Sequence, residues 1–280
     1  MTDESWRGWE RRLGEVAAVS SVWQKRTNRA EDVPPRSALG GDDTPNLRVS
    51  GLAWYSLVVA AEHLEFALVM MRASRTTYPT AYMTTLRSAL LAASHAVWVL
   101  APARRADRRG RAMRLLIQDL TDQRKLVESA TGLTEQQFKA QTHDAKVLTE
   151  RLDLCHETVG KLGLAKSSKA ALNNTEVVTF AALHLHEDPV AASGVQLLWR
   201  MGSAAAHGQR SYALIRMDRN VISAGADGKR TMEFRGDLVH DIGPSAAAAA
   251  LAVNEAFRLF DLRCGLVPAP NEQLPRFNDL

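Results

Sequence analysis

The chain has 280 residues, of which 46% are hydrophobic, and it carries a formal net charge of +4 at pH 7. That hydrophobic content suffices for a buried core and argues against disorder as the main state. A net charge this small does not by itself indicate nucleic-acid binding. Only local clusters of basic residues could indicate it. Two cysteines far apart in sequence, Cys155 and Cys264, favour a reducing compartment over a disulfide framework or a zinc site.

The N-terminal segment combines a predicted helix with a Pro/Gly-rich stretch. Its charged first residues lack the apolar segment of a signal peptide, so we expect a cytoplasmic protein. Apolar residues at helical spacing then predict an amphipathic helix over residues 4–30. Residues 31–46 contain paired prolines and paired glycines, which cannot continue a helix. We therefore interpret residues 1–46 as an N-terminal helix and a linker, and residues 47–265 as the main domain.

Two strongly apolar helices come next, over residues 47–77 and from Pro79 to about residue 100. Pro79 suits the first turn of a helix, because the N–H that it lacks would have no partner there. The second helix contains a clean apolar stretch shorter than the ~20 residues that a membrane span needs, and His95 lies within it. We expect the two helices to form the core hairpin of a bundle and no membrane to be involved.

A dense basic cluster opens the next predicted helix, which covers residues 103–130. Six arginines lie between positions 104 and 114, with Asp107 as the acidic residue among them. The six are Arg104, Arg105, Arg108, Arg109, Arg111 and Arg114. Because such clusters contact phosphates, we interpret these arginines as nucleic-acid-binding residues. The alternative is a solvated helix start placed by the bundle, and no aromatic residues are interleaved for base stacking.

The later helices carry clear start and stop signals. A Thr-x-x-Gln capping box begins a helix over residues 134–161, and a short helix is predicted over residues 176–186. Asp188 as the cap and Pro189 in the first turn begin the next helix, which ends naturally at Gly208. The sequence thus predicts a long run of helices with few breaks.

The pattern changes over residues 211–235, where β-branched and aromatic residues are separated by turn-like segments rich in Asp, Asn and Gly. This predicts a small antiparallel hairpin or a three-stranded meander. Pro244 begins the last helix, which ends before Gly265, and we expect residues 266–280 to form a loose tail. The predicted fold is mainly all-α, a helical bundle with a small β-hairpin or meander inserted before its last helix.

Three polar residues near the end of the helix that begins at Pro189 share one helical face. Arg200 and His207 are seven positions apart, which is two turns or roughly 10 Å along the axis, and Ser203 lies between them. Most of the intervening residues are small, so a substrate or a second chain could approach the backbone closely. A cation and a titratable imidazole would then point outward together.

A histidine beside an arginine can cleave RNA without a metal ion. The imidazole can move a proton at the 2′-hydroxyl or at the leaving 5′-oxygen, while the guanidinium neutralises the charge that develops on the phosphorus. One histidine cannot conveniently act at both ends of an in-line displacement. We therefore expect a symmetric homodimer that brings two such faces together.

These features resemble the HEPN superfamily, whose members are helical bundles with an arginine and a histidine separated by four to six residues on a late helix. The resemblance covers residues 47–265 in architecture and the Arg-x6-His pair of Arg200 and His207 in residues. Ser203 and Gly208 match a subset with a serine inside the motif and a glycine after the histidine. The chain departs at Met201, where the family often has a polar residue.

The resemblance implies a metal-independent endoribonuclease that acts on RNA as a homodimer and needs no cofactor. Arg200, Ser203 and His207 would be its catalytic residues. The family's settings are toxin–antitoxin, abortive-infection and CRISPR systems, which implies an antitoxin or regulatory protein as a partner. Other members are binding or regulatory domains, so a non-catalytic module that binds a protein or nucleic acid is the alternative function.

Structural roles are the alternative for the same residues. His207 could cap the helix C-terminus, Arg200 could pair with a neighbouring helix, and Ser203 could be a small packing residue. A metal site between helices is a further option, although its spacing does not match paired Glu-x-x-His motifs, and we expect no metal. The residues that could form it are Glu62, His63, Glu65, His184, His186 and Glu187.

Overall fold

A computed structural model describes residues 3–31, 33–74, 78–215, 222–224, 230–232, 238–267 and 270–274. Helices account for most of these residues, as the sequence predicts. They are α1 (Asp3–Thr27), α2 (Val49–Ala73), α3 (Pro79–Leu100), α4 (Arg105–Glu128), α5 (Glu135–Lys161), α6 (Asn174–Leu185), α7 (Pro189–Ala206), α8 (Arg210–Ile215) and α9 (Gly243–Cys264). The chain is therefore an all-α bundle.

The centre of the bundle is the predicted hairpin of α2 and α3, and α9 packs against both helices. Small residues allow this close packing, because Ala249 and Ala250 of α9 and Ala93 and Ala96 of α3 are fully buried. By length and composition α2 could cross a membrane, but a helix in the core of a soluble protein passes the same test. Helices α6 and α7 pack on α3 as a second layer.

The N-terminal helix α1 belongs to the same core as the rest of the bundle. Its buried Trp23 stacks on Phe257 of α9 with ring centroids 5.7 Å apart. Arg26 pairs with the buried carboxylate of Asp261 at 2.6 Å. Helix α1 therefore packs into the same core as α9, and the boundary at residue 46 stays a prediction.

The segment over residues 33–46 lacks an α-helix, as its prolines and glycines predict, but it does not have the exposure of a linker. Leu39 is fully buried, and its N–H donates to the Arg263 carbonyl at 2.9 Å. A Cβ added at Gly40 would approach the Pro34 carbonyl oxygen to 2.4 Å, so glycine is required there. The segment is a packed loop that contacts α4 and α9.

The predicted β insertion begins later than expected. Residues 210–215 form α8, because Tyr212 is buried against Met83 and Ala205 when the chain turns back into a helix. Further on, β1 (Ile222–Ala224) pairs antiparallel with β2 (Arg230–Met232). Residues 216–221, 225–229 and 233–237 lie outside the described residues, so the hairpin or meander stays a prediction.

The predicted loose tail is docked where the structure describes it. Residues 270–274 lie against α1 and α9. The Leu274 N–H donates to Asn254 at 2.9 Å, and the Glu272 carbonyl accepts a hydrogen bond from the Trp23 indole at 2.8 Å. This part of the tail therefore covers the core instead of extending away from it.

Candidate functional site

Helix α7 begins and ends where the sequence predicts. The Asp188 carboxylate accepts the Val190 N–H at 2.9 Å, and Pro189 occupies the first turn. Gly208 has a φ of 62°, a left-handed conformation that suits glycine, and His207 is the C-terminal cap residue. These signals fix the position of Arg200 and His207 at the last two turns of the helix.

One face of α7 is buried and the opposite face is exposed. The buried residues are Ala192, Val195, Trp199, Gly202 and Ala205, which pack toward α3 and α6. Val190 and Leu197 on the exposed face are 76% and 58% exposed, and Arg200 and His207 lie on that face as well. At 100° per residue the exposed face is centred on Arg200, with His207 about 20° to one side.

Neither Arg200 nor His207 is held by another side chain. In the part of the chain that the structure describes, their side chains make no hydrogen bond or ion pair. The His207 backbone N–H donates to the Ser203 carbonyl at 3.1 Å, and the half-buried Ser203 hydroxyl makes no hydrogen bond within the same ranges. The expected pairing of Arg200 with a neighbouring helix is not present there.

A second arginine that the sequence did not reveal packs against the buried face of α7. Gly202 packs so tightly on α3 that an added Cβ would approach the Arg87 Cβ to 2.7 Å and the Met83 carbonyl oxygen to 2.8 Å. The Arg87 guanidinium lies 5.3 Å from the centre of the Trp199 ring. Arg87 meets Trp199 and Gly202 only through the packing of α3 on α7, so no local pattern could have indicated these contacts.

No acidic side chain of the described residues forms an ion pair with Arg87. Its Nε and the indole Nε1 of Trp199 are buried without a hydrogen-bond partner among the described residues. Burial lowers the pKa of the Arg87 guanidinium, because the charged form loses contact with water. The last turns of α7 therefore have a desolvated guanidinium against their buried face and Arg200 on their exposed face.

In contrast to Arg200, three arginines of the basic cluster are bonded to the packed loop, namely Arg105, Arg108 and Arg109. Arg108 is almost fully buried and donates to both carboxylate oxygens of Asp42, which is completely buried. Arg105 donates to the same carboxylate at 3.1 Å, and Arg109 donates to the carbonyls of Asp42 and Gly41 at 2.9 and 3.0 Å. These three arginines attach the packed loop to α4.

The other three arginines of the cluster lie on a different side of α4. Arg111 donates to the Trp98 carbonyl at 2.7 Å and lies 4.1 Å from the centre of the Phe180 ring. Arg114 donates to the Ala171 carbonyl at 2.6 Å and to a carboxylate of α6. Arg104 has a side chain that is 80% exposed. Its guanidinium lies 3.9 Å from the Asp107 carboxylate, so all six arginines contact the protein itself, and nucleic-acid binding by the cluster stays a prediction.

Two of the three histidines that could form a metal site, His63 and His184, have other partners. His63 bonds through Nδ1 to the Val59 carbonyl of its own helix at 2.9 Å. His184 bonds to the Glu255 carboxylate at 2.8 Å, and Arg258 donates to that carboxylate as well. Within the described ranges no group of three or more His, Cys, Asp and Glu side chains could hold a metal ion.

No family model, no curated protein and no solved structure matches the chain. The likeness to the HEPN superfamily consequently depends on Arg200, Ser203, His207 and Gly208 in a helical bundle. The geometry and the charge of the site are therefore the basis for an inference about its function.

Proposed function

We propose that the chain is a HEPN-like, metal-independent endoribonuclease that cleaves RNA as a homodimer in a toxin or phage-defence setting in the cytoplasm. The observation that carries the proposal is the state of Arg200 and His207. Both are exposed at the centre of one helical face, two turns apart, and unpaired within the described residues. Side chains that serve only the fold usually find partners, as the arginines of α4 do.

The proposed reaction is the attack of a ribose 2′-oxygen on the adjacent phosphorus. His207 removes the proton of the 2′-hydroxyl, a new bond forms from the 2′-oxygen to phosphorus, and the bond from phosphorus to the 5′-oxygen breaks. His207 of a second copy donates a proton to that 5′-oxygen. The products are a 2′,3′-cyclic phosphate and a free 5′-hydroxyl. Arg200 stabilises the extra negative charge on phosphorus, and Ser203 orients the substrate or the imidazole.

The surface around the site supports the homodimer. Val190 and Leu197 lie on the exposed face together with Arg200, and their side chains are largely exposed in the single chain. Contact with a second copy would remove this apolar area from water and bring the two His207 side chains toward one substrate. Leu197→Glu is expected to give a monomer in sedimentation experiments and to abolish cleavage together with dimerisation.

The alternative is a non-catalytic module that binds a protein or nucleic acid, such as an antitoxin or a regulatory protein. The observation that favours it is the same exposed pair of Val190 and Leu197, which suits a protein partner equally well. This reading predicts that replacing His207 changes no reaction and that Leu197→Glu abolishes binding of the partner.

The test is cleavage of single-stranded RNA by the full-length protein in the presence of a metal chelator. His207→Ala is expected to lower the cleavage rate by at least about 10²-fold, the usual contribution of a general acid or base. His143→Ala, a change at an exposed histidine of α5, serves as the matched control and should cleave like the wild type. Equal cleavage by the wild type and His207→Ala, or none by either, contradicts the proposal.

A further inference from the structure

A cavity of about 510 Å³ lies beside the first half of α4, away from Arg200 and His207. It is bounded by α3, α4, α6 and the turn over residues 163–168. Its lining includes three arginines at the start of α4, two carboxylates and two serines of the turn, namely Arg104, Arg111, Arg114, Asp107, Glu176, Ser167 and Ser168. Cavities of this size are typical of small-molecule sites.

The six arginines between positions 104 and 114 form two sets, which lie on different sides of α4. Arg105, Arg108 and Arg109 face the loop around Asp42 and hold it. Arg104, Arg111 and Arg114 follow one another at intervals of seven and three positions and therefore share the face that lines the cavity. The first set attaches the loop to α4, and the second set faces the cavity, where Arg111 and Arg114 also donate to backbone carbonyls.

We propose that this cavity binds a small molecule through a phosphate group, with Arg111 as the principal ligand. The proposal does not depend on the nuclease reaction, since the site shares no residue with the face of α7. Inorganic phosphate and the phosphate ester of a small molecule present the same phosphate oxygens. The cavity would therefore recognise the phosphate dianion in either form.

Arg111 is the arginine of the cavity lining that forms no ion pair among the described residues. Arg114 forms an ion pair with Glu176 at 3.1 Å, and Arg104 lies 3.9 Å from Asp107. In the described part of the chain Arg111 has no carboxylate within ion-pair distance, and its one hydrogen bond goes to the Trp98 carbonyl. A guanidinium has five N–H groups, so most of its donors remain for a ligand.

The Arg111 guanidinium is partly removed from water. The Arg111 guanidinium rests on the Phe180 ring, 4.1 Å from its centre, which removes water from one side of the charge. This desolvation lowers the pKa of Arg111, although Asp107 and Glu176 partly oppose the effect. A phosphate placed against the opposite side would restore the lost stabilisation of the charge.

The turn over residues 163–168 supplies a hydroxyl group to the same space. Ser168 is 4% exposed, and its hydroxyl donates to no acceptor among the described residues. A Cβ added at Gly110 would lie 2.8 Å from the Ser168 Oγ, so the glycine lets the turn approach α4. Hydroxyl groups beside guanidinium groups are common phosphate ligands, because a hydroxyl can donate to a third phosphate oxygen.

The experiment is isothermal titration of the full-length protein with inorganic phosphate in one arm and adenosine monophosphate in the other. Arg111→Gln is expected to weaken binding by at least about tenfold, since a hydrogen bond to a charged group is lost. Arg105→Gln is the matched control, because it removes the same charge from the same helix outside the cavity. It should bind like the wild type.

Ser168→Ala provides a second variant in case Arg111→Gln does not fold, and it should weaken binding about threefold to tenfold. Tighter binding of adenosine monophosphate than of inorganic phosphate indicates an ester as ligand, and equal binding indicates the free ion. The proposal is overturned if the wild type binds neither probe, if Arg105→Gln weakens binding as much as Arg111→Gln, or if a short RNA binds and both small probes do not.

Discussion

The first turns of α4 and the last turns of α7 both carry arginine side chains, which are bonded to other parts of the protein in α4 and exposed in α7. In α4, Arg108 and Arg109 donate to a buried carboxylate and to backbone carbonyls of the packed loop. In α7, Arg200 and His207 face outward without a partner in the described part of the chain. The density of arginines in a sequence is therefore a weaker sign of function than the absence of partners in the fold.

The physical reason for the difference is desolvation. A charge removed from water has to be matched by an opposite charge and by hydrogen bonds, or the fold loses several kcal/mol. Arg108 meets this requirement through Asp42 and the carbonyls of Pro102 and Ala103. Arg200 remains in water and has no such requirement, so its side chain stays available for a ligand.

The largest expected loss of stability comes from removing the negative charge of Asp42, the ion-pair partner of Arg108. Asp42→Asn should lower the free energy of unfolding by about 3–5 kcal/mol, because a buried guanidinium loses its counter-charge. Urea unfolding followed by circular dichroism measures the change. Asp107→Asn, at a half-exposed partner of Arg104, is the control and should stay within about 0.5 kcal/mol of the wild type. A small effect of Asp42→Asn would mean that the loop is not held by this pair.

A smaller loss is expected at the contact that positions Arg87. Gly202→Ala should cost about 1–3 kcal/mol, because its Cβ would overlap with Arg87 and with the Met83 carbonyl and force α7 away from α3. Gly194→Ala on the same helix has free space around its Cβ and should instead gain about 0.5–1 kcal/mol. Equal stabilisation by the two substitutions would show that α7 does not pack this closely on α3.

The pH dependence of stability tests the burial of His95. Burial lowers the pKa of His95, and its hydrogen bond to Asn174 only partly opposes this, so the unfolded chain takes up a proton at higher pH than the folded chain does. The contribution of His95 to stability is therefore complete above about pH 6.5 and is lost as the pH falls below that value. His95→Gln should flatten the fall in the free energy of unfolding between about pH 6.5 and 5. An unchanged slope would contradict the assignment.

The smallest effect on stability is expected at the proposed catalytic residues. Arg200→Gln and His207→Gln should each change the free energy of unfolding by less than about 0.5 kcal/mol, because exposed side chains without partners contribute little to folding. The same variants should lose RNA cleavage. A loss of stability comparable with that of Gly202→Ala would instead give Arg200 or His207 a structural role.

Local signals predicted most of the helices. The capping box of Thr134 and Gln137, the proline in the first turn of α3 and the Asp188 cap of α7 all lie where the structure has helix starts. These signals act within a few residues, so one sequence is enough to find them.

Contacts between distant segments could not be predicted in this way. Residues 33–46 have the composition of a linker, and only the folded chain shows that Asp42 is the partner of Arg108. Arg87 contacts Trp199 and Gly202 only through the packing of α3 on α7. The helix at residues 210–215 forms because Tyr212 finds a buried position, which its local pattern did not indicate.

The most direct test of the proposed dimeric site is the activity of a purified heterodimer that contains one wild-type chain and one His207→Ala chain, isolated through two different affinity tags. If each cleavage needs a histidine from both copies, the heterodimer should cleave RNA at least about 10²-fold more slowly than the wild-type homodimer. A heterodimer that retains half of the wild-type activity would contradict the account, because each chain would then cleave RNA on its own.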